Sequence, residues 1–335
     1  MWKLAIDLGS SMTKIYRADT SSGVVLAEPS CVAVYGEDRA IKAVGKEAKN
    51  LIGKTAEYTS IVYPVYEGEI IDMRLAVAML KEFFARIGVK TGVLHRIQAL
   101  FCVPCGVSAS VLSQYIALAE ECGLRKVHFV EQPYLAAVGA GAVISDSDPV
   151  FCLDIGGGVT NIAVVSADGI ISGVSMNVGG NNMDANVLAK VARVNGLRIG
   201  ALTAERLKNE LGSMSTVARG AMVAEGSSID ACRPAAASVQ AADLTDCIRV
   251  YVDKILEYAL AVLRKLPAEV AAIVNRKGVY LSGGVMKIAQ LPQYIGAKLE
   301  MRYHVCEEPQ FATVIGGGAI LREKDLLKAF SLPVE

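Results

Sequence analysis

The chain has no surplus of either charge: 34 lysines and arginines face 34 aspartates and glutamates across 335 residues. A general nucleic-acid binder or a polybasic membrane arm needs a positive excess, so neither is supported and no nucleic-acid partner is expected. Long apolar runs are missing. The longest nearly apolar stretch, 134–144, is far short of the roughly 20 residues of a spanning helix. No secretory leader is expected either, because Met1 and Trp2 lead almost directly to Asp7. With so short a lead, no N-terminal amphipathic membrane helix is expected. Histidine is scarce: His95, His128 and His304 are far apart, and none lies beside a Ser or Cys nucleophile motif. Triad chemistry has no support. With 53% hydrophobic and 20% charged residues, a disordered chain is excluded. The expectation is a soluble, cytoplasmic, globular protein with a large core.

Cysteine is present but without a metal pattern. Cys102 and Cys105 form a C-x-x-C at the end of an apparent buried strand, and no second pair has ligand spacing. These thiols are expected to pack as small hydrophobes.

The main positive signal is an internal echo. Leu4-Ala5-Ile6-Asp7-Leu8-Gly9-Ser10-Ser11-Met12-Thr13 resembles Phe151-Cys152-Leu153-Asp154-Ile155-Gly156-Gly157-Gly158-Val159-Thr160, 147 residues later. Each copy reads as an apolar strand ending in Asp, a turn of small residues, and a second β-rich run. After the later copy, Asp168-Gly169 marks a hairpin returning as Ile170 to Val174. A period this long implies two related halves, not a solenoid. Between and after the copies, helices are expected over 108–123, 203–212 and 245–266, from helical spacing and caps. Alternation with short Val/Ile/Leu strands makes the class α/β. The Ala-, Ser- and Gly-rich stretch 214–242 is the least regular and reads as a peripheral subdomain.

No G-x-x-x-x-G-K-[ST] occurs, so the common phosphate loop is absent. The two small-residue turns replace it. They let backbone N–H groups come close to a polyphosphate and form an anion-binding concavity. Two carboxylates beside phosphates would repel them without a divalent cation, so Asp7 and Asp154 imply Mg²⁺, held chiefly through its waters. Gly316 to Gly318 read equally as helix–strand packing. Glu205 and Lys208, three apart on one helix, read by themselves as a surface ion pair.

In this order, the two turns, a connecting helix and Ser282-Gly283-Gly284 resemble the actin/sugar-kinase/DnaK-type ATPase superfamily, and within it the MreB-type bacterial actins. Glu28-Pro29-Ser30-Cys31-Val32-Ala33-Val34, Ala43-Val44-Gly45-Lys46-Glu47-Ala48-Lys49, Gly68-Glu69-Ile70-Ile71-Asp72 and Thr203-Ala204-Glu205-Arg206-Leu207-Lys208 carry the likeness over nearly the whole chain. The resemblance implies a two-lobed actin-like ATPase fold of duplicated ribonuclease H-like halves in four subdomains. One lobe would comprise 1–137 with 315–335 (29–69 its small subdomain), the other 138–314 (179–251 its small subdomain). It also implies ATP and Mg²⁺ in the cleft, assembly into protofilaments, slow ATP hydrolysis, and work with the cell-wall elongation machinery at the inner face of the membrane. Ser10, Ser11, Met12, Lys14, Gly156, Gly157 and Gly158 would meet phosphates. Glu205 and Lys208 would face the adenosine, with Gly283, Gly284, Val285 and Met286 on the opposite wall. Catalysis would rest on Gln132 and Asp154.

The sequence departs from that pattern where water would be activated. Such proteins usually carry Glu before the Pro of the connecting helix; here Glu131-Gln132-Pro133 puts Gln132 there. An amide orients water but cannot take its proton. On sequence alone, Gln132→Glu is expected to give equal or faster turnover. Val159 and Asn161 stand where the pattern has Thr and Glu. The stretch Gly88-Val89-Lys90-Thr91-Gly92-Val93-Leu94 reads as a surface turn or a loop with two apolar membrane tips. Competing functions are a plasmid-partition filament, which shares the fold and chemistry, and a small-molecule kinase, for which no acceptor-site motif is visible.

Overall fold

The computed structural model describes residues 1–55, 58–92, 96–145, 148–215 and 217–333. Its frame is two five-stranded sheets with one topology. In the first, strands Trp2–Leu8, Met12–Arg17 and Gly23–Pro29 form an antiparallel meander, and Ile97–Val103 and Lys126–Glu131 extend it in parallel beside Trp2–Leu8. The second repeats this with Val150–Ile155, Thr160–Ser166 and Gly169–Met176, then Val279–Ser282 and Tyr303–Val305 in parallel. The echo in sequence is therefore a duplication in space. Strands that are covered on both faces read as unbroken apolar runs, and every residue of Ile97–Val103 is buried. Phe101 stacks on Phe129 at 5.9 Å and meets Tyr115 edge-on at 6.2 Å.

Between the sheets lie helices Gln132–Gly139 and Ala312–Ile320. Their backbones touch: a Cβ at Gly139 would overlap the Ala312 carbonyl, and one at Gly316 the Leu135 carbonyl. A Cβ at Gly317 would sit 2.9 Å from Ala5 Cβ, and one at Gly318 would overlap the Tyr16 ring. The Gly316–Gly318 run thus serves close packing. Cys102, Cys105 and Cys152 lie in this shared core. Burial raises all three thiols, Cys105 to about 12, so the C-x-x-C is inert packing.

The helix over 108–123 appears as Ala109–Glu121, with the Ser108 hydroxyl accepting from Val111 N at 3.2 Å. The helix placed at 203–212 spans Ala201–Leu211, and the one placed at 245–266 spans Ala241–Leu263, beginning four residues earlier after an N-cap, Gln240, that makes no side-chain cap bond. The stretch 214–242 is more regular than its composition suggests. Strands Ala221–Ser228 and Pro234–Gln240 pair antiparallel, with Leu197–Arg198 alongside. Its alanines hide the β signal, but Ala224 and Val239 alternate inward and are fully buried. In the turn after residue 87, Val89 is 4% exposed, so it is no membrane tip; Val93 and Leu94 lie outside the described residues.

The C-terminal end closes the first sheet. Leu332 N donates to the Phe129 carbonyl at 2.8 Å, and Ser331 bridges to Val130. Beside them His128 spans Gln98 and Ser331, Nε2 at 3.1 Å from the Gln98 amide nitrogen and Nδ1 at 3.3 Å from the Ser331 hydroxyl. The Ser331 hydroxyl donates to Leu327, so it accepts from Nδ1–H, and Nε2 accepts from Gln98. Burial, with Lys126 adding, holds the imidazole below its usual value. The unfolded chain therefore binds the proton more readily, and this contribution to stability is lost as pH falls through about 6.5 toward the folded-state value. Melting temperature should drop between about pH 7.5 and 5.5, and His128→Gln should flatten that slope; an unchanged slope refutes the assignment.

Candidate nucleotide-binding cleft

The two turns are built alike. Gly9 N donates to the Met12 carbonyl at 3.2 Å, and Gly156 N to the Val159 carbonyl at 2.9 Å. In each copy the carboxylate at the strand end faces a cross-strand partner: Asp7 opposite Lys14, Asp154 opposite Asn161. The turns also meet each other. A Cβ at Gly157 would sit 2.6 Å from Ser11 Cβ, and one at Gly158 2.8 Å from Ser10 Oγ. The second turn is braced by helix Gly180–Asn195, whose Gly180 and Asn181 amides donate to the Gly156 and Gly157 carbonyls at 3.0 and 2.8 Å.

Between the halves lies a cavity of about 320 Å³. Its walls include Asp7, Ser10, Ser11, Met12, Lys14, Gln132, Asp154, Gly156, Gly157, Gly158, Glu205, Lys208, Gly283, Gly284 and Val285. Met286 is the exception. It lies on the short 3-10 helix Gly284–Lys287, where three residues per turn aim Val285 at the cleft and Met286 into the core of the second half. Gly283 has φ 93°, and a Cβ there would overlap the Ile155 backbone, so only glycine fits at this wall.

The acids are buried and engaged. Asp7 accepts from Lys14 Nζ at 2.8 Å and from Gln132 Nε2 at 3.2 Å. Asp154 accepts from Ser282 Oγ at 2.8 Å. Burial raises Asp154, and nearby Asp7 adds to this, against opposition from Ser282, Lys14 and Asn161. Burial alone would push Lys14 down, but Asp7, with Asp154 adding, holds it above its ordinary value. Two carboxylates and one ammonium leave a negative floor, on which a polyphosphate needs further positive charge. Among the described residues no three His, Cys, Asp or Glu side chains converge as a cage. Two carboxylates at the edge of an open cavity fit a hydrated Mg²⁺ held through its waters.

Glu131, the carboxylate next to Gln132, turns away. It accepts from Gly106 N at 2.5 Å and does not line the cavity. Glu205 and Lys208 do not pair with each other. Glu205 meets Lys49 across the cleft at 2.6 Å, while Lys208, 6% exposed, binds Asp184 at 2.8 Å and the Gly180 carbonyl at 3.2 Å. Asp184, Tyr115 and Gln310 carry no motif, and only the fold brings them to the cleft; Lys49 ends a quoted motif, but its place beside Glu205 is likewise set by the fold.

The family model described as MreB/Mbl protein matches residues 1–329. The chain is 30% identical over 334 residues to the cell shape-determining protein MreB of Escherichia coli (strain K12), covering 96% of this chain and 94% of that protein. It is 31% identical over 325 residues to the cell shape-determining protein Mbl of Bacillus subtilis (strain 168), covering 97% of each. Among solved structures, MreB5 of Spiroplasma citri bound to ADP superposes with a TM-score of 0.90 at 26% identity, over 98% of this chain and 97% of that one. The same protein bound to AMPPNP matches equally. MamK, from a double helical filament, shares the fold with a TM-score of 0.78 at 21% identity, over 96% of this chain and 99% of that one.

Proposed function

The chain belongs to the MreB/Mbl family, and from that premise we propose that it is an ATP-binding bacterial actin that polymerises into filaments organising cell-wall synthesis and cell shape, with slow ATP hydrolysis. The observation that carries this is the convergence of both Asp–turn–Thr copies on one cleft, in a chain whose relatives are cell shape-determining proteins. ADP and AMPPNP in MreB5 supply the ligand class. The lobes divide as 1–137 with 315–335, and 138–314. Self-association is head-to-tail, since a heterologous contact that does not close on itself extends into a filament. The partners are further copies of the chain and the elongation machinery at the inner membrane face. Among the described residues no helix is long and apolar enough to cross a membrane.

In this reading the turn amides of Ser10–Met12 and Gly156–Gly158 receive the phosphates, Lys14 adds a fixed positive charge, and Glu205 and Lys208 face the adenosine opposite Gly283–Val285. Gln132 orients the attacking water by hydrogen bonds, and Asp154 accepts from the water cluster around it. Bound Mg²⁺ would neutralise phosphate charge, held by Asp7 and Asp154 through its hydration shell. Binding to the native state alone raises stability by mass action: Mg-ATP at about 100 times its dissociation constant should add about 2.7 kcal/mol. A thermal melt measures this, and sedimentation with ATP should rise above a threshold protein concentration. An unchanged melt in saturating Mg-ATP removes the nucleotide assignment. A monodisperse monomer with ATP across salt conditions favours a kinase instead.

A further inference from the structure

Asn161 lies in the second copy where Lys14 lies in the first: each is the cross-strand partner of its copy's Asp. Lys14 reaches back to its own partner, Asp7, at 2.8 Å. Asn161 does something different. It is 1% exposed, and its side chain joins the two halves of the molecule. The Cys105 backbone N–H donates to Asn161 Oδ1 at 3.0 Å, and Asn161 Nδ2 donates to Gln132 Oε1 at 2.7 Å. Gln132 Nε2 then donates to Asp7 Oδ1 at 3.2 Å.

Side-chain amides look the same from either end, so a direction has to come from their partners. A backbone N–H only donates, which puts the carbonyl oxygen of Asn161 toward Cys105 and its nitrogen toward Gln132. The oxygen of Gln132 must then face Asn161, and its nitrogen must face Asp7. The far end agrees independently, because Asp7 beside Lys14 is an acceptor. One donor and one acceptor at the ends of the chain thus fix both amides between them. Gln132 retains one N–H and one carbonyl lone pair for other ligands, both with set directions.

We propose that Asn161 is a positioning residue that fixes the direction of the Gln132 amide from across the junction of the halves. The consequence for catalysis rests on the reading that Gln132 orients the attacking water; the amide lock itself does not. Asn161→Ala should lower kcat for ATP hydrolysis by on the order of 10-fold, with KM for ATP within about twofold, and should slow Gln132→Ala no further. Asn161→Leu discriminates more sharply. Leucine keeps nearly the same volume and removes both hydrogen bonds, to Cys105 N–H and to Gln132 Oε1. A residue that merely filled space would be replaced by it with little loss, whereas the lock predicts that kcat of Asn161→Leu falls as far as that of Asn161→Ala, with KM for ATP again within about twofold.

The lock has a readout without turnover. In nucleotide-free protein labelled with ¹⁵N-glutamine, the Gln132 side-chain N–H bound to Asp7 should exchange slowly in wild type and faster in both variants. Gln132→Ala identifies the signal. A wild type that binds Mg-ATP without hydrolysing it overturns the hydrolysis reading, and the exchange measurement still decides the lock. Unchanged Gln132 exchange in both variants, or additive kinetic losses in the double variant, overturns the proposal. Should Asn161→Ala fail to fold, Asn161→Leu carries both measurements.

Discussion

Gln132→Ala should slow ATP hydrolysis by on the order of 10- to 1,000-fold, about 1.4–4 kcal/mol of barrier, with nucleotide affinity nearly unchanged. The residue opens helix Gln132–Gly139 directly after strand Lys126–Glu131, and Pro133 pre-sets the first helical turn. Its amide touches Asp7 and Asn161, on the floor of the cleft and away from the Glu205 and Lys208 wall. Removing it takes away a water-orienting group and leaves the groups assigned to the base and phosphates in place. Glu131→Ala is the control. That carboxylate is spent on Gly106 N and points out of the cavity, so its loss should leave the hydrolytic rate within a few-fold. Single-turnover hydrolysis of both variants decides the matter; a large loss at Glu131 with none at Gln132 reverses the assignment.

The geometry also changes what Gln132→Glu should do. From sequence alone, restoring a carboxylate suggests equal or faster turnover. In the structure the atom facing Asp7 is an N–H donor at 3.2 Å. A carboxylate there would set like charges against each other on a floor that already holds Asp7 and Asp154, with Lys14 the ammonium beside them. Its pKa would rise, and turnover would gain a dependence on pH that the amide lacks.

How far such features can be read from sequence depends on how local their causes are. The paired strands and turns were legible because strand, turn and returning strand lie within a dozen residues, and each needs small residues at one place. Gly283 was legible for the same reason. The ion pairs were not. Lys49 reaches Glu205, and Asp184 reaches Lys208, only after the small sheets and helices have folded over the cleft. The three-residue spacing of Glu205 and Lys208 suggested the wrong pairing, since i,i+3 proximity is real but weaker than a buried partner across the fold. Met286 shows a finer limit. Its motif places the 3-10 helix at the wall, and which of two adjacent side chains faces the ligand is set by helical phase. The alanine-rich hairpin over 221–240 was hidden by composition, because its strands are held by pairing with each other and by the packing of Ala224 and Val239 among Leu197, Leu207 and Leu244, not by propensity. Asn161 was legible only as a departure from a pattern; its partners come from strands and helices far away in the chain.

The largest loss of binding is expected at Gly157. On sequence grounds glycine is needed there so that backbone amides can approach a phosphate. The structure adds a second reason: a Cβ would meet Ser11 Cβ at 2.6 Å, closer than real contacts allow, with Asn181 Oδ1 at 3.4 Å on another side. Ser11 has little room to retreat, because its carbonyl accepts from Ser30 N at 3.0 Å. A side chain at Gly157 therefore wedges the two turns apart and spoils both amide concavities together. Gly157→Val should lower Mg-ATP affinity by at least about 100-fold, or about 2.7 kcal/mol, and abolish the nucleotide-induced rise in melting temperature. The two reasons separate in a milder pair. Gly157→Ala should bind poorly, and adding Ser11→Gly should recover most of the affinity, since it removes the atoms that the new methyl meets. If the double variant binds no better than Gly157→Ala, the methyl itself occupies phosphate space. If Gly157→Val binds like wild type, the phosphates lie elsewhere, and the duplicated turns serve only to join the halves.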